Sequence, residues 1–153
     1  MFNRYDYEAE FYPSLNRLPL DVRRKLDLTG IKISLRDWLA ISLEERLVLC
    51  HFPCETDEER KVFIAYLDFL AGKYLARSSA KTAPMDSALW GELNVPDAVV
   101  QRSMAMDQVV RASEWRRWPA HHRYALYKSA VSNKQPEAFE QVLLQLRKLA
   151  ANE

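Results

Sequence analysis

The stretch LPLDVRRKLDLTGIKISLRDWLAISLEERLVLC, residues 18–50, carries the start and stop signals of three successive helices. Pro19 suits the first position of a helix, where its missing N–H would be unpaired anyway, and Gly30 suits the end of that helix. Ser34 and Ser42 are each placed to cap a following helix through a side-chain oxygen. The stretch therefore predicts a helix, a short extended link, a short helix and a longer helix, in that order.

The same order of features recurs 77 residues further along the chain. The matching positions are Pro19 with Pro96, Val22 with Val99, Trp38 with Trp115, Arg46 with Arg123, and Leu49 with Leu126. The tryptophan match has the most weight, because the chain contains only 4 tryptophans. Repetition at a fixed period indicates a duplicated structural unit. We predict helical unit one at residues 18–50 and helical unit two at residues 95–127, related by a pseudo-two-fold axis. Two helical hairpins that share only their period are the alternative.

A longer helix is predicted to follow the first unit. Thr56 and Glu59 form a capping box at its start, and apolar residues continue at helical spacing to about Arg77. Apolar side chains surround this helix on all sides, which predicts that it runs through the centre of the fold. We expect this central helix to join the two helical units.

The rest of the chain predicts an all-α fold class. Residues 77–87 predict a polar loop, a second helical group runs from Pro96 to about Asn133, and a last amphipathic helix starts at Pro136. Either half alone would be too small to be comfortably stable. We therefore predict a single domain over residues 1–153 with about seven to nine helices.

The charge balance argues against a protein that binds nucleic acid mainly through its phosphates. The chain has 22 Lys and Arg residues against 21 Asp and Glu residues, whereas such proteins usually show a clear basic excess. No apolar run approaches the roughly 20 residues that span a bilayer, and no signal-peptide pattern is visible. Cys50 and Cys54 are therefore expected to be reduced thiols of a cytoplasmic protein without membrane contact.

No familiar catalytic or metal-binding pattern is present. The chain contains no GxGxxG motif, P-loop or nucleophile elbow. His121 and His122 are adjacent, so on a helix they point about 100° apart and cannot easily share one metal ion. Cys50 and Cys54 are not a CxxC pair. We expect no catalytic residue, no metal and no cofactor. An enzyme with an unfamiliar site would need a deep pocket lined by His51, Cys54 or His122.

Basic and aromatic residues lie together in the second unit, in the segment Trp115–Trp118. Such a mixture can bind nucleic acid or an acidic partner by stacking and charge. A solvated basic face with the tryptophans packed inward explains the same pattern, and we favour that interpretation.

Four residues that recur at the same place in both units are predicted structural anchors: Trp38, Arg46, Trp115 and Arg123. A buried arginine needs a partner, so Arg46 and Arg123 are expected to bind either a carboxylate or the C-terminal carbonyls of the preceding helix. Asp37 and Glu114 also recur and are the candidate carboxylates.

An ordered series of short motifs extends from about residue 7 to residue 130. Its members are Tyr7–Phe11, Leu18-Pro19, the run KLDLTGIKISLRDW at Lys25–Trp38, Glu44–Arg46, Pro53-Cys54, Val95-Pro96, Val99, Trp115 and Arg123. This series resembles the nitrate reductase-associated protein family of cyanobacteria and other bacteria. A long ordered series is far more specific than a single short motif.

The resemblance implies a non-catalytic accessory or maturation factor that is associated with assimilatory nitrate reductase and acts by protein binding. That enzyme carries molybdopterin and an iron–sulfur cluster, but this chain lacks the cysteine set of an electron carrier. A small helical nucleic-acid-binding or regulatory module is the alternative. The residues predicted to contact the partner are Arg23, Lys25, Lys32 and Arg36.

Overall fold

The computed structural model describes residues 1–132 and 135–152, and helices form almost all of their regular structure. The one sheet in this part of the chain has two strands of two residues each. The predicted all-α fold class is therefore confirmed.

The chain divides into two compact units. The first unit contains residues 1–4 and 8–85, and the second contains residues 5–7 and the chain from Asp86 onward. The elements of the first unit are α1 (Leu20–Thr29), β1 (Ile31–Lys32), α2 (Leu35–Ala40), α3 (Leu43–His51), α4 (Asp57–Leu75) and β2 (Ala80–Lys81). A short 3-10 helix over Asp6–Phe11 precedes α1.

Caps fix where the helices of the first unit begin. Ser34 caps α2 and Ser42 caps α3, because each hydroxyl accepts the backbone N–H of the residue three positions further on. Thr56 and Glu59 form a complete capping box at the start of α4. Pro19 directly precedes α1. The predicted helix starts in this unit are therefore confirmed.

These helices enclose an apolar core. Its buried members come from α1 to α4 and the segments between them: Leu15, Leu18, Val22, Leu26, Ile31, Trp38, Ile41, Leu49, Cys50, Cys54, Phe63, Leu67 and Leu70. Burial of side chains of this size supplies most of the favourable free energy of folding.

The second unit contains a 3-10 helix over Ser87–Trp90 and four α-helices. These are α5 (Asp97–Ala105), α6 (Ala112–Arg117), α7 (Ala120–Val131) and α8 (Pro136–Ala151). α7 packs against both α5 and α8. The predicted end of the second helical group at Asn133 lies outside the described residues.

The second unit follows the order of elements of the first. α2 and α6 correspond residue for residue at the 77-residue spacing, and α1 and α5 both start directly after a proline. α4 and α8 each come last among the α-helices of their unit. α4 lies within the first compact unit, and a long helix that joins the predicted units at residues 18–50 and 95–127 stays a prediction.

The prediction that α4 runs through the centre of the fold is not confirmed, because one side of the helix is exposed. Phe63, Leu67 and Leu70 face the core, but the side chains of Val62 and Phe69 are 57% and 60% exposed. The helix therefore carries apolar residues on a buried side and on an exposed side.

Trp38 and Trp115 make equivalent contacts in the two units. The indole nitrogen of Trp38 donates to the carbonyl of Leu15, and that of Trp115 donates to the carbonyl of Gly91, each at 2.8 Å. Both side chains are fully buried. Each tryptophan therefore ties the short helix of its unit to the segment that precedes the first α-helix of that unit.

Arg46 and Arg123 bind carbonyls in the same two regions. Arg46 Nη1 donates to the carbonyl of Leu15 at 2.7 Å, and Arg123 Nε donates to the carbonyl of Trp90 at 2.8 Å. Arg123 also donates to the carbonyl of Trp118, which ends α6. Backbone carbonyls are thus the partners that the structure gives both arginines.

The candidate carboxylates bind other arginines. Asp37 on α2 accepts from Arg77 at 2.9 Å, and Glu114 on α6 accepts from Arg147 at 2.8 Å. The expectation that these carboxylates pair with the recurring arginines is therefore wrong. In both units the carboxylate instead joins the short helix to an arginine on or just after the long last helix.

Gly30 allows the two-stranded sheet to form beside α1. It ends the helix in the left-handed region at φ 71°, and its N–H donates to the carbonyl of Leu26 at 2.9 Å. A Cβ at this position would lie 2.4 Å from the carbonyl oxygen of Thr82. The close approach places β2, inside the predicted loop, in antiparallel pairing with β1.

Replacing Gly30 by alanine should destabilise the protein strongly. We expect Gly30→Ala to lower the free energy of unfolding by about 2 kcal/mol or more, because left-handed strain adds to the clash with Thr82. Gly72→Ala is the matched control, since this helical position is open and alanine should raise stability there by about 0.5–1 kcal/mol. Urea unfolding measures both variants, and equal stability of the two would contradict the argument.

Candidate functional site

A continuous set of apolar side chains lies on the outside of the first unit. We call it the α3–α4 face, and its members are Leu47, Val48, Phe52, Val62, Tyr66 and Phe69. The ring of Tyr66 stacks on Phe52 at 5.5 Å and on Phe69 at 6.4 Å between ring centroids. Contiguous exposed apolar surface in a folded protein marks an interaction site more often than single exposed residues do.

The exposed side of α4 has a simple origin in the sequence. Phe63, Leu67 and Leu70 repeat at helical spacing and fill the core. A second stripe, Val62, Tyr66 and Phe69, has the same spacing one residue earlier and is therefore turned by about 100°. One stripe stabilises the fold, and the other provides half of the α3–α4 face.

An open depression of about 430 Å³ continues this face at the end of α3. It is lined by Leu47, Val48, His51, Phe52 and Pro53. Partial burial, together with the positive charges of Arg4 and Lys25, lowers the pKa of His51, so its imidazole is neutral at pH 7. The depression therefore offers an uncharged, mainly apolar lining.

Three charged side chains of α1 are buried beside one another in this unit. Arg24 Nε lies 2.9 Å from Asp21 Oδ1, and Lys25 Nζ lies 3.8 Å from Asp21 Oδ2. Arg24 also reaches Glu55 at 3.0 Å. Buried charges are tolerated only when they are paired and hydrogen-bonded, as these are.

Lys25 of α1 caps the C-terminal end of α3 with its buried side chain. Its ammonium group donates to the carbonyls of Leu49 at 3.2 Å and Cys50 at 2.5 Å, in the last turn of that helix. Burial lowers the pKa of Lys25, and the charge of Asp21 opposes that effect. The ammonium group thus supplies donors that the terminal carbonyls of α3 would otherwise lack.

The burial of Lys25 corrects one predicted contact residue. Its side chain is fully buried, so it cannot reach a partner. Arg23 on α1, Lys32 on β1 and Arg36 on α2 are exposed. A charged residue in a sequence looks like a surface residue until its partners are known, which explains the error.

Glu8 in the 3-10 helix is another buried ionisable residue, and its carboxyl contacts the start of α1. One carboxylate oxygen accepts the N–H of Leu20 at 2.9 Å, and the other accepts the hydroxyl of Tyr12 at 2.8 Å. Burial raises the pKa of Glu8 to about 7, against the effects of these two hydrogen bonds and of Arg23. The carboxyl group of Glu8 therefore accepts the first N–H of α1, and the same group changes its charge near neutral pH.

The thiol groups of Cys50 and Cys54 are not activated as nucleophiles. Both are buried, and burial raises the pKa of Cys50 to about 12 and that of Cys54 above its usual value. A thiol reacts as its thiolate, so these groups act as packing atoms. His51 lines the open depression, whereas Cys54 does not.

The basic segment of the second unit does not present aromatic rings to solvent. Trp115 and Trp118 are buried, with their rings edge to face at 6.3 Å, while Arg116 and Arg117 are exposed. Bases cannot stack on buried indoles, so a basic surface with interleaved aromatic rings does not form here. The tryptophans pack inward, as our favoured interpretation has it.

The two adjacent histidines of α7 lie against each other. The rings of His121 and His122 lie edge to face at 4.4 Å. Within the described residues, no three His, Cys, Asp or Glu side chains are grouped as metal ligands. No helix among those residues combines the length and apolar character that crossing a bilayer requires.

Sequence reasoning missed Glu8 and the exposed side of α4. Glu8 lies within the motif Tyr7–Phe11, between aromatic residues, and that setting is a usable signal for a buried carboxyl. The two apolar stripes of α4 are visible as separate helical series in the sequence, although nothing in it says which one faces the core.

Fold and site together define an α-helical protein of two similarly ordered units, one of which exposes a continuous apolar face. A family model for conserved nitrate reductase-associated proteins matches residues 4–146. The chain therefore belongs to the conserved nitrate reductase-associated protein family, which confirms the resemblance seen in its motifs. No curated protein and no solved structure matches the chain.

Removing the buried ammonium group should destabilise the first unit. We expect Lys25→Met to lower the free energy of unfolding by about 3 kcal/mol, because two carbonyls of α3 lose a buried donor and the carboxylate of Asp21 loses a nearby positive charge. Lys61→Met on the exposed surface of α4 is the control and should change stability by less than about 0.5 kcal/mol. Guanidinium unfolding compares the two, and a Lys25 variant as stable as its control would refute the assignment.

Glu8 should make stability depend on pH. A pKa raised in the folded state means that the native protein binds this proton more tightly, so the stabilisation is present at low pH and is lost as pH rises from about 4.5 through 7. Between pH 4.5 and 8, the wild-type protein should lose about 3 kcal/mol more stability than Glu8→Gln, which does not ionise; its amide oxygen can accept the N–H of Leu20, and its NH2 can donate to the hydroxyl oxygen of Tyr12. Urea midpoints across this range provide the measurement. Parallel pH curves for the two proteins would show that Glu8 titrates in its ordinary range.

Proposed function

We propose that this protein is a non-catalytic accessory factor of assimilatory nitrate reductase, and that it acts in the cytoplasm by binding the reductase during maturation. Membership of the nitrate reductase-associated family supports the choice of partner. The observation that carries the mode of action is the α3–α4 face, an exposed and continuous apolar surface. Apolar and aromatic side chains of this kind form the cores of protein–protein interfaces.

The chemistry of the first unit suits binding. Its two thiols are buried and protonated, and His51 contributes a neutral ring to an open depression. This surface offers contact area rather than an activated nucleophile. Cys50 and Cys54 are free thiols, which is the state that a reducing cytoplasm maintains.

The exposed cations of the first unit have a secondary part in the proposal. Arg23, Lys32 and Arg36 lie on α1, β1 and α2, outside the α3–α4 face. Charges outside an interface core affect association rate and salt dependence more than they affect affinity. We therefore assign the affinity to the apolar face and the steering of the encounter to these cations.

Direct binding and the state of the reductase test the proposal together. Immobilised protein should retain purified nitrate reductase, prepared with and without its molybdenum cofactor. Cells that lack the protein should contain reductase of lower activity or lower molybdenum content. The matched control is an immobilised unrelated helical protein of similar size. Failure to retain either form of the enzyme, with unchanged activity in the deletion strain, would rule out the proposed function.

A further inference from the structure

The carboxyl group of Glu8 is buried without a counter-charge. The residue is only 3% exposed, and among the described residues no lysine or arginine forms an ion pair with it. Asp21, the other buried carboxylate of the first unit, differs in this respect, because Arg24 contacts it at 2.9 Å and Lys25 lies 3.8 Å away. An unpaired carboxylate is much more costly to bury than a neutral carboxyl group. The site of Glu8 therefore favours the protonated form.

The neutral carboxyl group can keep both of its hydrogen bonds. One oxygen lies 2.8 Å from the hydroxyl oxygen of Tyr12, and the other lies 2.9 Å from the backbone nitrogen of Leu20. A protonated carboxyl can donate to the Tyr12 oxygen while its carbonyl oxygen accepts the N–H of Leu20. The ionised group only accepts, and it leaves a negative charge in a site without a paired cation. Protonation therefore preserves the contacts and removes the cost of burying a charge.

The groups that face Glu8 from the neighbouring elements do not reverse this preference. Burial is the largest effect and raises the pKa of Glu8 to about 7, although its two hydrogen bonds and the charge of Arg23 on α1 lower it. The charge of Asp21 on α1 adds to the increase. On α3, burial and, to a smaller extent, the charge of Glu8 raise the pKa of the Cys50 thiol to about 12, so this thiol is uncharged near neutral pH. Arg23 is exposed, so solvent screens its charge.

The same carboxyl group joins residues 8–12, which we call the N-terminal strap, to the start of α1. The N–H of Leu20 is the first of that helix, and Glu8 is the acceptor that the structure gives it. Residues 2–4 have a different anchor, because the backbone and side-chain N–H groups of Asn3 donate to Asp21 at 3.0 and 2.9 Å. Ionisation of Glu8 therefore acts directly on the strap, whereas the anchor of residues 2–4 does not involve this group.

We propose that the N-terminal strap is a proton-controlled latch, which is closed on the start of α1 while Glu8 is protonated and opens locally when Glu8 loses its proton. In the open state the carboxylate reaches water and the N–H of Leu20 exchanges with solvent. The latch gives the first unit a conformational response to pH. This inference does not rest on the proposed function, so a failure to bind the reductase would leave it intact.

Amide hydrogen exchange of the full-length protein tests the latch. NMR follows the N–H of Leu20 as the reporter of the strap and the N–H of Leu26, inside α1, as the reporter of wider unfolding, with each rate corrected for the intrinsic effect of pH. A pKa of about 7 in the closed state against 4.5 for an exposed carboxyl predicts that the protection of Leu20 falls about 70-fold between pH 5 and pH 8. Local opening exposes little surface, so low concentrations of urea should speed the exchange of Leu26 but not that of Leu20.

A matched pair of variants assigns the response to one carboxyl group. Glu8→Gln does not ionise, so the protection of Leu20 should change by less than about threefold over the same pH range. Glu10→Gln makes the same chemical change at an exposed neighbour and should keep the wild-type response. The ¹³C shift of the Glu8 carboxyl in the wild-type protein supplies a measurement that needs no variant, and its midpoint should lie near pH 7.

Three results would overturn the proposal. The first is a Leu20 protection that stays constant with pH in the wild-type protein. The second is an equal loss of protection in Glu8→Gln, which would assign the response to another group. The third is a Leu20 exchange rate that follows urea as steeply as that of Leu26, because the strap would then open only when the helices unfold.

Discussion

A buried ammonium group needs hydrogen-bond acceptors, and Lys25 of α1 has them in two carbonyls at the end of α3. This contact fixes the position of α3 relative to α1. The side chain extends from α1 to the terminal carbonyls of Leu49 and Cys50, so the end of α3 is fixed by a residue of another helix. Because α3 ends there, the chain turns at Phe52, whose ring stacks on Tyr66 of α4. The exposed apolar face of this unit thus depends on the buried ammonium group of Lys25.

The two units share the contacts of their recurring tryptophan and arginine and differ in which side chains are exposed to solvent. Tryptophan and arginine donors bind carbonyls ahead of the first α-helix in each unit, with nearly equal distances. On the short helix, Leu35 and Leu39 of the first unit correspond to Ala112 and Arg116 of the second. The buried contacts that fix the fold therefore recur between the units while exposed residues differ, and function belongs to surfaces placed on a fold.

The sequence allowed the helix starts, the recurring tryptophans and the order of elements to be predicted, because capping and helical spacing act over three or four residues. Burial depends on contacts between distant segments and could not be predicted in the same way. Lys25 looked like a surface residue because its acceptors lie on α3, some 24 residues away. The apolar residues around α4 predicted a central position in the fold, but which side is covered depends on where the other helices pack. β2 could not be foreseen either, because a two-residue strand carries no periodicity.

Residues 5–7 belong to the second unit, although the chain on both sides of them belongs to the first. The hydroxyl of Tyr5 donates to the carbonyl of His121, 116 positions away, and the N–H of Asp6 donates to the side chain of Gln145 across 139 positions. During synthesis, Tyr5 leaves the ribosome long before these partners exist. These two hydrogen bonds can form only after His121 and Gln145 have been added to the chain. Residues 5–7 are therefore made early but complete their contacts late, when α7 and α8 are present.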